Sequence, residues 1–363
     1  MDRDIHFQFL PFSTSEIETA SLPGDHWIAA SALQKAIRRC DAQVAERAAL
    51  ALYRWRGPRI WRRLAIVAAE DIGIGSIDAV VEAVAVCTDT AQRSDAADEV
   101  RLLLQVVRLL ANAAKDRAAD FLISAAHHHP SLAEARARLA VMPVADRIAF
   151  TADLSNGLHE RALATWFATG IGVPDMGRDG KGDLTGLLAM YRGLGVPSQW
   201  LQAVRSIVKQ TREPLALMLP PLWLAASGSS AGTVECPVPA TTYIHDLPLY
   251  ALDKHTRPGK RAIHQFAREN VEVREILSRH VGKGNANAAA CMAAFYADGA
   301  CLARRRIWPG CHEVERLGIE ADFSKVGVPE KAIQPLREAF ARNLAHLDDV
   351  RARQLNAYLE TLR

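Results

Sequence analysis

Two stretches of this 363-residue sequence concentrate side chains able to do chemistry. In the first, Arg54, Arg56, Arg59, Arg62 and Arg63 fall within ten residues with no acid among them, and the run leads to the paired carboxylates Glu70 and Asp71. Guanidinium groups meet phosphates, and the interleaved Tyr53 and Trp55 rings can stack on bases, so Arg54, Arg56, Arg59 and Arg62 are read as nucleic-acid contacts. Glu70 and Asp71 sit at a helix C-terminus, where the macrodipole disfavours negative charge. Arg63, on the same helical side as Glu70, is expected to hold them in an internal ion pair. The second stretch, Ile244 to Phe266, crowds His245, Asp246, Asp253, Lys254, His255, Thr256, Arg257, Lys260, Arg261 and His264 together. If Thr256 caps a helix, the free backbone N–H groups at its start, with Arg257, Lys260 and Arg261, make an anion pocket for phosphate or nucleic-acid contact, approached by Asp253 and His255. The plainer alternative is a capped helix whose Asp253 pairs with a neighbouring Lys or Arg.

Other clusters carry weaker signals. Arg304, Arg305 and Arg306 beside Trp308 read either as a solvated helix end or as further nucleic-acid contacts. His245-Asp246 resembles a metal-binding HD dyad, but two further ligands at helical positions cannot be placed, so no metal is expected. His127, His128 and His129 are adjacent before Pro130 and cannot all face one ion. No GxSxG elbow, HExxH pair or GxGxxG fingerprint is present. No catalytic residue and no cofactor are expected from motifs alone.

The elements that must position these residues are helices. Asp25 can cap a helix to about Cys40 that buries Ile28, Leu33, Ala36 and Ile37, and Asp41 can cap the next, ending at Gly57-Pro58. A third runs from Pro58 to about Asp71, stopped by Gly73 and Gly75. Val80, Val81, Val84 and Ala85 mark a fourth, and apolar spacing predicts further helices near 99–114 and 116–128. Short connections make these antiparallel neighbours in a bundle. Residues 131–226 read as a middle helical segment interrupted by a glycine-rich loop at 170–183. The small, polar and proline-rich stretch 227–242 reads as a linker or long loop. A helical part at 243–363 follows, ending in one long helix from about Pro329 to Leu362, and residues 1–24 precede the bundle as an extension.

The region from about residue 24 to 130 resembles the C-terminal helical part of the RarA/MgsA family of AAA+ replication-recombination ATPases, relatives of clamp loaders. The resemblance rests on Ser31-Ala32-Leu33-Gln34-Lys35-Ala36-Ile37-Arg38, on Arg62-Arg63-Leu64 leading into Ala69-Glu70-Asp71-Ile72-Gly73, and on Leu110-Ala111-Asn112-Ala113-Ala114-Lys115-Asp116. It implies an all-helical, clamp-loader-collar-like assembly module forming dimers or tetramers. The family's ATPase module needs GxxxxGK[ST]. Here Gly180-Lys181-Gly182, Gly259-Lys260-Arg261 and Gly282-Lys283-Gly284 all lack the Ser/Thr after the lysine, so ATP hydrolysis does not carry over.

Composition agrees with helices: 49% hydrophobic residues, rich in alanine and leucine, with 6% aromatic. Net charge of +3 confines any nucleic-acid attraction to patches. The six cysteines form no CxxC pair and read as reduced, mostly buried thiols. Without a secretory signal or an apolar run of about 18 residues, a cytoplasmic protein with no membrane partner is expected. The combined expectation is an all-α multi-helix bundle with helical hairpins. It would act as a non-catalytic, self-associating accessory protein of DNA replication, repair or mobile-element maintenance, contacting DNA or a replication protein. Alternatives are a phosphate- or nucleotide-binding or metal-dependent enzyme centred on residues 244–264, and a pure protein adaptor.

Overall fold

The computed structural model describes residues 22–91, 93, 96–172, 182–227 and 231–362. Helix α1 (His26–Arg38) begins where Asp25 Oδ1 accepts from the Trp27 and Ile28 backbone N–H groups at 2.9 and 3.0 Å. Helix α2 (Ala42–Arg56) begins where Asp41 accepts from Val44 N. Helix α3 (Arg59–Val67) continues into a π turn, Ala68–Ile72, and ends at Gly73. Helices α4 (Ile77–Thr88), α5 (Ala96–Asn112) and α6 (Ala118–His128) complete the N-terminal third. The middle carries α7 (Ala133–Ala140), α8 (Val144–Ala152), α9 (Leu158–Thr169), α10 (Leu184–Gly193), α11 (Ser198–Thr211) and α12 (Leu219–Ala226). After two short strand pairs come α13 (Arg257–Glu269), α14 (Val271–His280), α15 (Ala286–Ala294), α16 (Cys311–Lys325), α17 (Glu330–Arg342) and α18 (Leu344–Glu360). The fold is all-α. No helix among the described residues is long and apolar enough to cross a membrane, and the six cysteines form no disulfide.

Several elements depart from the sequence expectation. The final long helix is two, divided at Asn343. Arg304, Arg305 and Arg306 lie on strand β4 (Arg304–Ile307), not at a helix end. Strand β4 pairs antiparallel with β1 (Gly232–Glu235), so the 227–242 stretch is fastened to the body by a backbone ladder. Arg39 fastens it again by donating to Pro239 O at 2.8 Å. His245 and Asp246, both at positive φ, form the exposed two-residue turn between β2 (Tyr243–Ile244) and β3 (Leu247–Pro248). Asp and His tolerate that backbone better than most residues. The HD pair is therefore a hairpin turn, and no metal-binding group occurs among the described residues. Residues 1–21 of the expected N-terminal extension, 173–181 of the glycine-rich loop and 228–230 lie outside the described residues.

The apolar core is continuous from Leu22 to Tyr358 and crosses both 130/131 and 242/243. Helix α16 lies along α6, and α1 packs on the turn Leu249–Ala251. The N-terminal and C-terminal thirds thus share one interior.

Two glycines allow the close approaches that shape the region around α1. Gly73 has φ +50°, and a Cβ there would sit 2.7 Å from Asp116 O. At Gly259 a Cβ would sit 2.3 Å from Asp253 O and 2.4 Å from Asp253 N. Both obstacles are backbone, so neither can swing aside. Gly193, at a helix end, has open space. We expect Gly73→Ala and Gly259→Ala each to cost about 2 kcal/mol or more, and Gly193→Ala to be neutral or slightly stabilising. Urea unfolding of the three variants checks this ordering.

Candidate functional site

A cavity of about 290 Å³ opens where α1, the end of α3, α6, the 253–255 loop, α15 and α16 converge. Helix α1 points Ser31, Lys35 and Arg38 to one side, at i, i+4 and i+7, as 3.6 residues per turn requires. Lys35 and Arg38 are each 3% exposed. Gln34, from the same helix, also reaches the site.

Arg38 is the centre of the site's floor. Its Nε donates to Asp71 Oδ1 at 2.6 Å, Nη2 to Glu70 Oε1 at 2.8 Å and Nη1 to Gly299 O at 2.7 Å. Gln34 Nε2 donates to Asp71 Oδ2 at 2.8 Å, and Arg117 Nε lies 3.2 Å from Asp71. Burial disfavours charge on Glu70, but Arg38 and Arg117 outweigh it and hold the carboxyl below its usual range. The sequence reading named Arg63 as the partner. It lies near Glu70 and lines the cavity without forming an ion pair. The reason is the π turn. It interrupts the 100° progression that placed Glu70 over Arg63, and carries Glu70 and Asp71 toward α1 and α6. A second π turn, Phe295–Gly299, supplies the Gly299 carbonyl and the Phe295 ring. Arg38, Arg117 and Lys254 gather around that ring at 5.5, 5.3 and 4.2 Å from its centroid.

Asp253 reaches the opposite wall. It accepts from Lys35 Nζ at 2.5 Å, and Lys35 also donates to Ser31. Burial would raise the Asp253 carboxyl, but Lys35, His255 and their hydrogen bonds hold it at about 2. Asp253 does pair with a cation, but not with the neighbouring Lys or Arg that was expected: its partner lies 218 positions away in sequence. Thr256 is buried and caps α13 by accepting from Gly259 N, while Lys260 N donates to Thr256 O. The helix start is thus largely closed by its own cap, and the anion pocket expected there is not formed. Arg257, Lys260 and Arg261 are exposed on α13 and His255 is exposed at the cavity mouth.

The remaining arginines differ in exposure. Arg62 donates to Thr211 O at 2.7 Å and pairs with Glu213, clamping α3 to the end of α11. Arg304 binds Glu235 and Asn112 O, and Arg305 binds Glu315. Tyr53 donates to Glu99, which Trp61 also bonds, and its ring is partly buried against the core. Arg54, Arg56 and Arg59 are exposed, with Trp55 59% exposed between them.

Sequence reasoning listed Lys254 in the crowded 244–266 stretch without giving it a role, and missed Asp120, Asp322 and Arg117 as cavity residues. Lys254 Nζ has Met292 Sδ at 3.7 Å and, among the described residues, makes no hydrogen bond to oxygen and no ion pair, although Asp322, Asp120 and Asp253 lie near enough to favour its charge. Burial pushes it below the ordinary lysine range. Asp120 pairs closely with Arg117, yet burial, with Glu70 and Asp322 adding like charge, pushes its carboxyl up to about 7. Asp322 accepts from Ser124 Oγ at 2.5 Å and Tyr296 Oη at 2.7 Å. The signal for α1 was present: Ser31, Lys35 and Arg38 share one helical side. No spacing rule links them to residue 253. A separate Cys291–His264 contact at 3.5 Å is not an activated pair, because burial raises the thiol to about 11.

Comparisons with known proteins return nothing for this chain: no family model, curated protein or solved structure matches it.

Removing one member of the Lys35–Asp253 pair leaves an uncompensated buried charge. Asp253→Asn should cost about 3–5 kcal/mol, and adding Lys35→Met should recover at least about half of that loss. Additive losses in denaturant unfolding would contradict the coupling. The pH sign follows from Asp253, whose folded value lies below the unfolded value of about 3.9. Its contribution is full above about pH 4 and falls away toward pH 2, and the double variant should lack that part of the acid transition.

Proposed function

We propose that the protein binds a small anionic ligand, one bearing a phosphate or carboxylate group, in the cavity between α1, α6, α15 and α16. The observation that carries this reading is the unbalanced charge of the walls. Lys35, Arg38, Arg63, Arg117, Lys254 and Lys325 face Glu70, Asp120, Asp253 and Asp322, with Asp71 beneath them paired to Arg38 and Arg117, which still leaves one cation in excess. Arg63, Lys254 and Lys325 have no carboxylate partner among the described residues. A cation held in a half-buried cavity without an anion is costly, and a bound anion removes that cost. The volume suits a small metabolite more than a dinucleotide. Inorganic phosphate, pyrophosphate and small dicarboxylates should therefore raise the melting temperature saturably. At about 100 times Kd the gain is about 2.7 kcal/mol. The Arg63→Ala, Lys254→Met double variant should lose the shift. An unsaturable response, equal in both proteins, would defeat the reading.

A second reading, the non-catalytic and self-associating accessory protein of DNA metabolism, is favoured by one specific observation. Trp55 stands exposed among Arg54, Arg56 and Arg59 at the α2–α3 corner. The likeness of residues 24–130 to the replication-recombination ATPases supports it too, and dimer or tetramer formation belongs to the same reading. Single-stranded DNA binding should weaken as salt rises, with the slope reduced by about 2–3 when the three arginines become alanine. Trp55→Ala should lose about 1–3 kcal/mol of affinity. No binding at low salt would remove this reading and leave the first untouched.

A further inference from the structure

One aromatic side chain at the cavity takes no part in its polar network. Trp27 lines the cavity and is 50% exposed, and of the large apolar side chains exposed among the described residues it alone lies there. Its backbone is fixed by the Asp25 cap, which accepts from Trp27 N at 2.9 Å and, through its other oxygen, from Tyr358 Oη at 2.7 Å. The His26 ring lies beside the indole, with centroids 5.0 Å apart and planes inclined by 36°. Trp27 thus offers a flat apolar surface at a defined place. The other ring of the cavity, Phe295, is already surrounded by Arg38, Arg117 and Lys254. From Trp27, α1 carries Ser31, Gln34 and Lys35 into the same cavity, and a rise of 1.5 Å per residue puts Trp27 about 12 Å along the helix from Lys35.

We propose that the ligand of this cavity is a nucleoside monophosphate, its phosphate held by the unpaired cations and its base stacked on Trp27. The inference rests on the anion-binding reading above and names the chemical class of that ligand. Three features of the walls each ask for one part of it. Arg63, Lys254 and Lys325 form no ion pair among the described residues. A phosphate monoester brings three terminal oxygens and close to two negative charges near neutrality, so it can engage all three cations, whereas a carboxylate has two oxygens and one charge. The same walls carry Glu70, Asp120, Asp253 and Asp322, and ionised carboxylates only accept hydrogen bonds. A bare anion gives them nothing, whereas the hydroxyls of a sugar donate to their free lone pairs. The indole of Trp27 then receives a flat ring, a contact that every base can make because every base has a π-face. A cavity of about 290 Å³ is on the scale of one nucleotide and is too small for two.

The test is calorimetric titration of the full chain with adenosine monophosphate and with ribose 5-phosphate, which share a phosphate and a sugar and differ by the base. The nucleotide should bind about ten-fold tighter or more. Trp27→Ala should bring the two affinities to within about two-fold of each other by weakening the nucleotide alone, and Trp27→Phe should keep most of the difference. Unchanged ribose 5-phosphate binding in Trp27→Ala shows that the variant is folded with its phosphate site intact. Trp55→Ala, at the separate α2–α3 corner, should alter neither affinity, and Arg63→Ala with Lys254→Met should abolish both. Equal binding of the two compounds by the unaltered protein overturns the proposal and leaves anion binding standing. A nucleotide preference that survives Trp27→Ala also overturns it, since the base then rests elsewhere. If neither compound binds and inorganic phosphate gives no melting shift, the anion-binding reading fails and this inference falls with it.

Discussion

Arg38 is the interaction on which the rest of the structure depends. Its guanidinium joins the carboxylates at the end of α3, through Asp71 and Glu70, to the backbone of the second π turn at Gly299. Taking a guanidinium and two carboxylates out of water costs several kcal/mol per ion, and only near-complete hydrogen bonding offsets that. Each donor position of Arg38 must therefore find its partner. This requirement fixes the distance between α1 and the π turns and makes the cavity floor rigid. Asp116 extends the arrangement, accepting from Trp308 Nε1 at 2.7 Å, and Arg351 adds another buried cation, paired with Asp298.

Local rules revealed the helices and their caps well. Asp25, Asp41 and Thr256 each cap the helix they were expected to cap, because capping depends only on a side chain and the next three backbone N–H groups. The Glu70 partner was misjudged because the argument assumed uninterrupted α-helical pitch, whereas the chain widens into a π turn at Ala68. Arg304, Arg305 and Arg306 were placed at a helix end because an isolated four-residue strand has too short a pattern to distinguish from a helix terminus. Lys254 stood out in the sequence only as one member of the crowded 244–266 stretch, with no role assigned to it. Its distinction is the absence of an oxygen partner, which is a property of three-dimensional surroundings.

Ser31 to Arg38, Glu70-Asp71 and Lys115-Asp116, three blocks singled out in the sequence, lie together in space. Much of their charge is engaged inward. Lys115 is fully buried and donates to Ala111 O at 2.8 Å, and its backbone pairs with Arg304 and Arg306. These residues act first as an internal polar framework, and Lys35, Arg38 and Glu70 also line the cavity above it. The same desolvated setting that makes unpaired charge expensive there also strengthens any electrostatic contact with a bound ion. A framework and a binding site can therefore share the same side chains. The outward arginines around Trp55 belong to a separate surface.

The β1–β4 ladder joins residues 232–235 to 304–307, and Tyr358 Oη donates to Asp25 at 2.7 Å. During synthesis on the ribosome, α1 emerges long before the partners of Lys35 and Arg38 at residues 253 and 299 exist. A nascent N-terminal third would carry its central cations half-satisfied and its apolar flank bare. Completion of this protein is thus coupled to translation of its last third, and transient shelter of the emerging chain by a holdase would act on that interval.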